Sequence, residues 1–282
     1  MLLPMARFLL FAVVAALAAP PSILAQPAPL PDAPRQAAPN PSAADVSALL
    51  ADADRTYERR DDPAALVAHR ARLADAEKLA PNDYEVLWRL ARMYFWLADD
   101  PKIKNEEKSK LGKTGWDYGD RATAANPKRA EGWHFAAGGV GNYALGIGVL
   151  TALRQGIEGK FKERLSRAEQ IDPDFQNGAI QTAWGRFWYE LPWPKYSPDR
   201  SQKSLAAALT KNPANVRAHV YLADLHAKED RPDQARAELQ LAATGAPGRY
   251  DAPEERRWQE VARRKLAEGQ TPRSGVRGSE GG

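Results

Sequence analysis

Three groups of residues in this chain have types and spacings that could do chemistry: a histidine pair, two glycine-bearing segments and a run of tryptophans. His219 and His226 stand seven apart, on one face of a helix, as a metal pair would need. Both also fall at the large-residue positions of a sequence repeat, so they read as packing or groove-lining residues. Gly112-Lys113-Thr114 imitates the end of a phosphate-binding loop, yet Glu107 holds the place of the loop's first glycine and no strand precedes it. The glycines between positions 138 and 148 follow a helix rather than a strand and lack dinucleotide-binding spacing. Their expected role is to let neighbouring backbones approach closely. No nucleophile stands with a base, and no carboxylate pair or metal-ligand set shows usable spacing. The chain reads as non-catalytic, with no cofactor and no metal.

Aromatic residues are the remaining signal. Seven of the eight tryptophans lie between residues 87 and 193, an excess over what seams built from alanine and leucine require. Indole rings combine large contact area with a polar edge, so part of this group is expected to line a groove or cavity. Trp133, Tyr143, Trp184, Trp188 and Trp193 are the candidate ligand- or partner-contacting residues. Residues 136–153, AAGGVGNYALGIGVLTAL, carry no charge at all. A stretch of that kind is buried on all sides or faces something apolar, here a cavity wall opposite Trp184 and Trp188.

The elements that position these residues are given by a repeat. Five times an alanine is followed five places later by a proline: Ala76/Pro81, Ala122/Pro127, Ala168/Pro173, Ala208/Pro213 and Ala242/Pro247. Successive prolines are 46, 46, 40 and 34 residues apart, so the last unit has tetratricopeptide length and the earlier ones carry insertions. A proline ends the helix before it, because it lacks an N–H and its ring clashes with the preceding turn. Ala91, Ala137, Ala183 and Ala223 follow the first four prolines by ten residues, where the helices of a hairpin come closest. Leu73, Leu165, Leu205 and Leu239 precede prolines by eight, with Gly119 the one departure. His69 and Phe161 are large where the repeat wants a small residue, which predicts less regular packing there. The fold class is all-α, a tetratricopeptide-type solenoid of helical hairpins over residues 44–268, each unit touching only its neighbours, with a charged capping helix over 252–268. Asp251 and Glu254 form that helix's capping-box pattern.

The ends differ from this body. Residues 1–25 place Arg7 before an uncharged apolar run ending in Ala25 and read as a cleaved signal peptide; a retained membrane anchor is the competing reading. With no cysteine there is neither a lipid-accepting residue nor a disulfide. Residues 26–43 are a proline- and alanine-rich linker, and 269–282 a glycine-rich polar tail expected to be disordered. The formal net charge of +4 falls to +3 without Arg7, and interspersed signs argue against nucleic acid. The basic stretch 102–113 holds Glu106 and Glu107 and reads as a solvated helix face.

Trp133, the glycine run with Tyr143, the segment KFKERLSRAEQIDPDF (160–175) and the later ELPW (190–193) occur in an order that resembles the tetratricopeptide proteins grouped with the T component of TRAP transporters and the regulator of microtubule dynamics proteins. The resemblance covers residues 44–268. It implies a periplasmic protein that partners another protein, although the bacterial T components are lipoproteins and this chain lacks their cysteine. The sequence therefore supports two readings. One is a periplasmic or secreted scaffold whose concave face binds a protein or peptide, with no membrane span after signal cleavage. The other is a carrier of a hydrophobic small molecule in an aromatic-lined cavity.

Overall fold

Each repeat alanine is fully buried in the last turn of a helix, which ends within three residues after it. Ala76, Ala122, Ala168 and Ala208 accept the final helical hydrogen bond, at 2.9 Å, from the N–H of Ala80, Asn126, Asp172 and Asn212. The next residue in every case is proline, which has no N–H with which to continue. The alanine, the capping residue four positions on and the proline one further thus form a single stop signal.

The computed structural model describes residues 43–245 and 251–270. The signal segment 1–25, the linker as far as residue 42, Pro247 and the tail from residue 271 lie outside them. The described residues form helices and no strand, in the order α1 Ala43–Tyr57, α2 Pro63–Leu79, α3 Tyr84–Ala98, α4 Asn105–Ala125, α5 Ala130–Ile147, α6 Val149–Arg154, α7 Ile157–Ile171, α8 Ala179–Glu190, α9 Pro198–Lys211, α10 Val216–Lys228, α11 Pro232–Thr244 and α12 Ala252–Gln270. A single 3-10 turn, Phe175–Asn177, precedes α8. Helix starts follow local rules. Asp62, Asp83 and Asn215 accept hydrogen bonds from first-turn N–H groups of α2, α3 and α10, and prolines open α2, α9 and α11.

The hairpins pair α1 with α2, α3 with α4, α5 with α7, α8 with α9 and α10 with α11. The inserted residues of the second unit lengthen α4 to 21 residues, and those of the third form α6, entered through Gly148 at φ +87°. Four buried clusters succeed one another along the stack instead of one central core.

The departures from the repeat are matched by compensating residues. A Cβ on Gly119 would lie 2.6 Å from Ala136 Cα, so a leucine in that slot cannot coexist with α5. Gly112 and Gly146 make the same allowance for the backbones at Tyr143 and Ser109, each at 2.5 Å. Phe161 has Gly141 opposite it and stacks on Phe187 with ring centres 4.9 Å apart. His69 is fully buried, and its Nδ1 donates to the Ala53 carbonyl at 2.8 Å. At His69 and Phe161 polar pairing and an opposed glycine take up the extra size, while the Phe161 unit carries the additional helix α6 and His69 Nε2 is left without a partner.

One expectation needs correction. The units do not touch only their neighbours, because the start of α12 reaches back to the α1–α2 turn and to α3. Arg60 donates to both carboxylate oxygens of Asp251 at 2.6 Å, and Arg256 to Asp61 at 2.6 Å. Arg257 donates to the Trp96 carbonyl at 2.8 Å, and Lys102 pairs with Glu260 at 3.0 Å. The capping helix is thus also a closing element. In its capping box the Glu254 N–H donates to the Asp251 carboxylate as expected, while the return bond from the Asp251 N–H goes to Glu255, the Glu254 side chain being paired with Arg217.

Candidate functional site

The concave side of the closed stack holds a cavity of about 360 Å³. One wall is the uncharged segment: Ala137, Gly138, Val140, Gly141, Ala144 and Leu145 of α5, continued by Val149, Ala152 and Leu153 of α6. Gly138 and Gly141 leave space that the rings of Phe95 and Phe161 enter. Phe187 of α8, with Ile157 and Leu165 of α7, completes the apolar part. The segment lacks charge because α4 covers one of its faces and this cavity lies against the other.

The opposite end is polar. Gln176, Asn177, Thr182, Asn212 and Asn215 line it. Gln176, Asn177 and Gly178 are consecutive and all left-handed, with φ of 46°, 52° and 102°. Two adjacent non-glycine residues in this region are costly, and such strain gathers at ligand-contacting segments. Gly178 is required here, since a Cβ would meet the Ala208 carbonyl at 2.9 Å.

A charged rim spans both ends of the solenoid. Arg217 of α10 bridges Asp99, the residue ending α3, at 2.6 Å and Glu254 of α12 at 2.9 Å. Its guanidinium lies over the Trp258 ring at 4.7 Å. Burial opposes this charge, but Asp99 and Glu254 outweigh it and hold the Arg217 pKa above its ordinary value. Burial pushes the Glu254 carboxyl upward despite Arg217 beside it. Arg186 of α8 pairs with Glu190 at 2.5 Å and Asp224 at 2.8 Å. His134 also lines the cavity. Burial lowers its imidazole to about 4, which keeps the ring neutral, and its Nδ1 has no hydrogen-bond partner.

None of the five aromatic residues singled out in the sequence lines this cavity. Trp133 packs in the seam and donates to the Pro127 carbonyl at 3.0 Å. Tyr143 lies against Trp116, with ring centres 5.8 Å apart. Trp184 stacks on Trp188 at 6.2 Å and donates to Glu169 at 3.0 Å, so these two are brought together, outside the cavity. Trp188 carries the Arg200 guanidinium at 4.6 Å, and Trp193 is 86% exposed. The uncharged segment faces Phe161 and Phe187 instead of Trp184 and Trp188. Gly146, within that segment, faces Ser109 of α4 and not the cavity.

His219 and His226 do not form a metal pair. His219 Nδ1 is 2.6 Å from Glu238 and its Nε2 is 3.1 Å from the Pro213 carbonyl. Burial works against a charged ring there, and the Glu238 carboxylate outweighs it, raising the pKa. No cluster of metal-ligating side chains occurs among the described residues. Gly112-Lys113-Thr114 sits in the middle of α4, with Lys113 paired to Asp117. No helix among the described residues is long and apolar enough to cross a membrane.

Stacked hairpins with alanine-proline stops and a concave cavity define a tetratricopeptide-repeat scaffold. Residues 49–195 match the profile of the family described as regulator of microtubule dynamics protein 1-3, and residues 197–252 match a tetratricopeptide repeat profile. The chain belongs to the regulator of microtubule dynamics protein 1-3 family. No curated protein sequence matches it. Among solved structures it is similar to a thermophilic tetratricopeptide protein of Thermus thermophilus, with a TM-score of 0.59 and 18% identity over 79% of this chain and 99% of that one. It is also similar to Pseudomonas aeruginosa pilF, with a TM-score of 0.48 and 16% identity over 80% of this chain and 91% of that one. At these identities the likeness to the Thermus protein shows the fold.

Proposed function

We propose that this protein is a non-catalytic scaffold, exported to the periplasm or beyond, that binds a protein partner by taking a short apolar segment of it into the concave cavity. The observation that carries this reading is the cavity itself, an uncharged wall of α5 and α6 facing a polar end with strained backbone at Gln176 and Asn177. An apolar side chain or two would sit against Val140, Leu145 and Leu153. The backbone of the inserted segment would meet Asn177 and Asn215. With α12 closing the concave side, a long helix cannot lie along it as in an open solenoid.

A second reading is favoured by the cavity's size. About 360 Å³ falls within the roughly 300–1,000 Å³ typical of small-molecule sites, so a hydrophobic small molecule could fill it alone. One experiment separates the two. A photo-crosslinking residue in place of Leu145, activated in intact cells, yields an adduct of protein mass in the first case and of small-molecule mass in the second. Absence of any adduct, with the same probe reacting normally at exposed Leu150, would remove both. Fractionation of the same cells tests export, and recovery of the chain in the cytoplasm would refute it.

A further inference from the structure

The solenoid closes through a seam of a different kind from every other contact between its elements. Successive hairpins are joined by buried apolar clusters, and none of these crosses from α12 to the first hairpin. Trp258, Val261 and Ala262 of α12 belong with α10 and α11, while Leu50, Leu73 and Val86 form a separate cluster at the other end. What joins the ends is charge: Arg60 to Asp251, Arg256 to Asp61, Lys102 to Glu260, and Arg217 between Asp99 and Glu254. Arg257 adds a hydrogen bond to the Trp96 carbonyl and lies over the Trp96 ring. The Arg256 and Lys102 pairs are exposed, with side chains 46% and 63% accessible, and are therefore open to screening by salt.

Both sides of this seam also wall the cavity, Asp99 from α3 and Glu254 and Glu255 from α12. We infer that α12 and the first two hairpins form an ion-paired clasp over the cavity, and that the concave face is reached by opening it. Separation here breaks ion pairs and uncovers the Trp96 ring beneath Arg257, but it divides no shared apolar cluster, so the ends part while each keeps its own. The gating half of this inference rests on the proposed binding cavity, whereas the clasp itself does not.

The chain has no cysteine, so labels can be placed at will. Spin labels on Glu58→Cys and Arg264→Cys, both exposed and outside the ion pairs of the seam, report the distance across it. A second, longer distance should appear and grow between low salt and about 1 M salt, where screening acts within about 3 Å. One distance, unchanged at high salt, overturns the clasp. A second variant, Asp61→Cys with Arg256→Cys, is locked with a short bis-maleimide, and its helical signal is checked by circular dichroism. Locking should slow association of an apolar fluorescent probe about tenfold or more relative to the unlocked variant. An unchanged rate overturns the gate. A probe that binds neither form, with the salt-dependent distance still present, overturns the cavity reading and leaves the clasp standing.

Discussion

Replacing Gly119 with leucine makes the second unit agree with the four others, and substitutions toward a repeat consensus usually stabilise. Here the opposite is expected. A Cβ at this position would lie 2.6 Å from Ala136 Cα, against at least 3.4 Å for ordinary contact, so α4 and α5 must part by about 0.8 Å for an alanine alone. The atoms met are backbone and cannot rotate away. A gap of that size forfeits a quarter to a half of the dispersion contact along the seam. Overpacking costs about 1–3 kcal/mol, and three further carbons place leucine at or above the upper end. The helix-propensity gain from losing glycine, about 1 kcal/mol, offsets only part. With a slope of roughly 2–3 kcal/mol per molar urea, a net loss of about 2 kcal/mol or more lowers the unfolding midpoint by about 0.7–1 M or more. Gly159→Ala is the control. Nothing lies within 4 Å of its added Cβ, so it should stabilise by about 0.4–1 kcal/mol and raise the midpoint slightly. A Gly119→Leu midpoint at or above wild type would refute the close-approach account of α4 and α5.

Other outcomes follow from the buried polar groups. Burial lowers His69 and His134 to about 4, below the unfolded value near 6.5, so the unfolded state binds more protons and stability falls as pH drops from 6.5 toward 4. The loss is at most roughly 3 kcal/mol for each, while His219, with its raised pKa, works in the opposite sense. His134→Phe should flatten the decline in urea midpoint over that range, and an unchanged slope would mean that His134 titrates normally. Arg217→Ala leaves Asp99 and Glu254 facing each other without their cation and should cost about 3–5 kcal/mol, read as a fall in thermal midpoint; a loss below about 1 kcal/mol would place the pair in solvent. Ala223→Trp should unfold the last hairpin, since Ala223 is 2% exposed in a tight helix contact, and a wild-type melting profile would contradict that packing.

The repeat was legible because its stop signal is local: alanine, capping residue and proline lie within six residues. The close packing of α4 on α5 was legible in kind, from the glycines. The clasp was not, because Arg60 and Asp251 are 191 positions apart and neither has a distinctive neighbourhood. The cavity was half legible. Its uncharged wall stood out, but the rings facing that wall are Phe161 and Phe187. The indole N–H groups of Trp133 and Trp184 find acceptors 6 and 15 residues away, at Pro127 and Glu169, and this ties those rings into the seams. The left-handed run at residues 176–178 was only partly marked: Asn177 before Gly178 suits that backbone, whereas Gln176 does not announce it.

The uncharged wall also bears on how the chain is made. Eighteen consecutive residues without charge, stripped of their neighbours, are a sticky surface on which a nascent chain could associate with others. Synthesis supplies the cover first: α4, which lies along the glycine face of α5, is complete at Ala125, eleven residues before the segment begins. The phenylalanines that shield the other face, Phe161 and Phe187, come only later. During translation the segment is therefore half-sheltered from the moment it emerges. A circular permutant that starts at α5 and places α4 at its far end should fold to the same structure yet aggregate during expression.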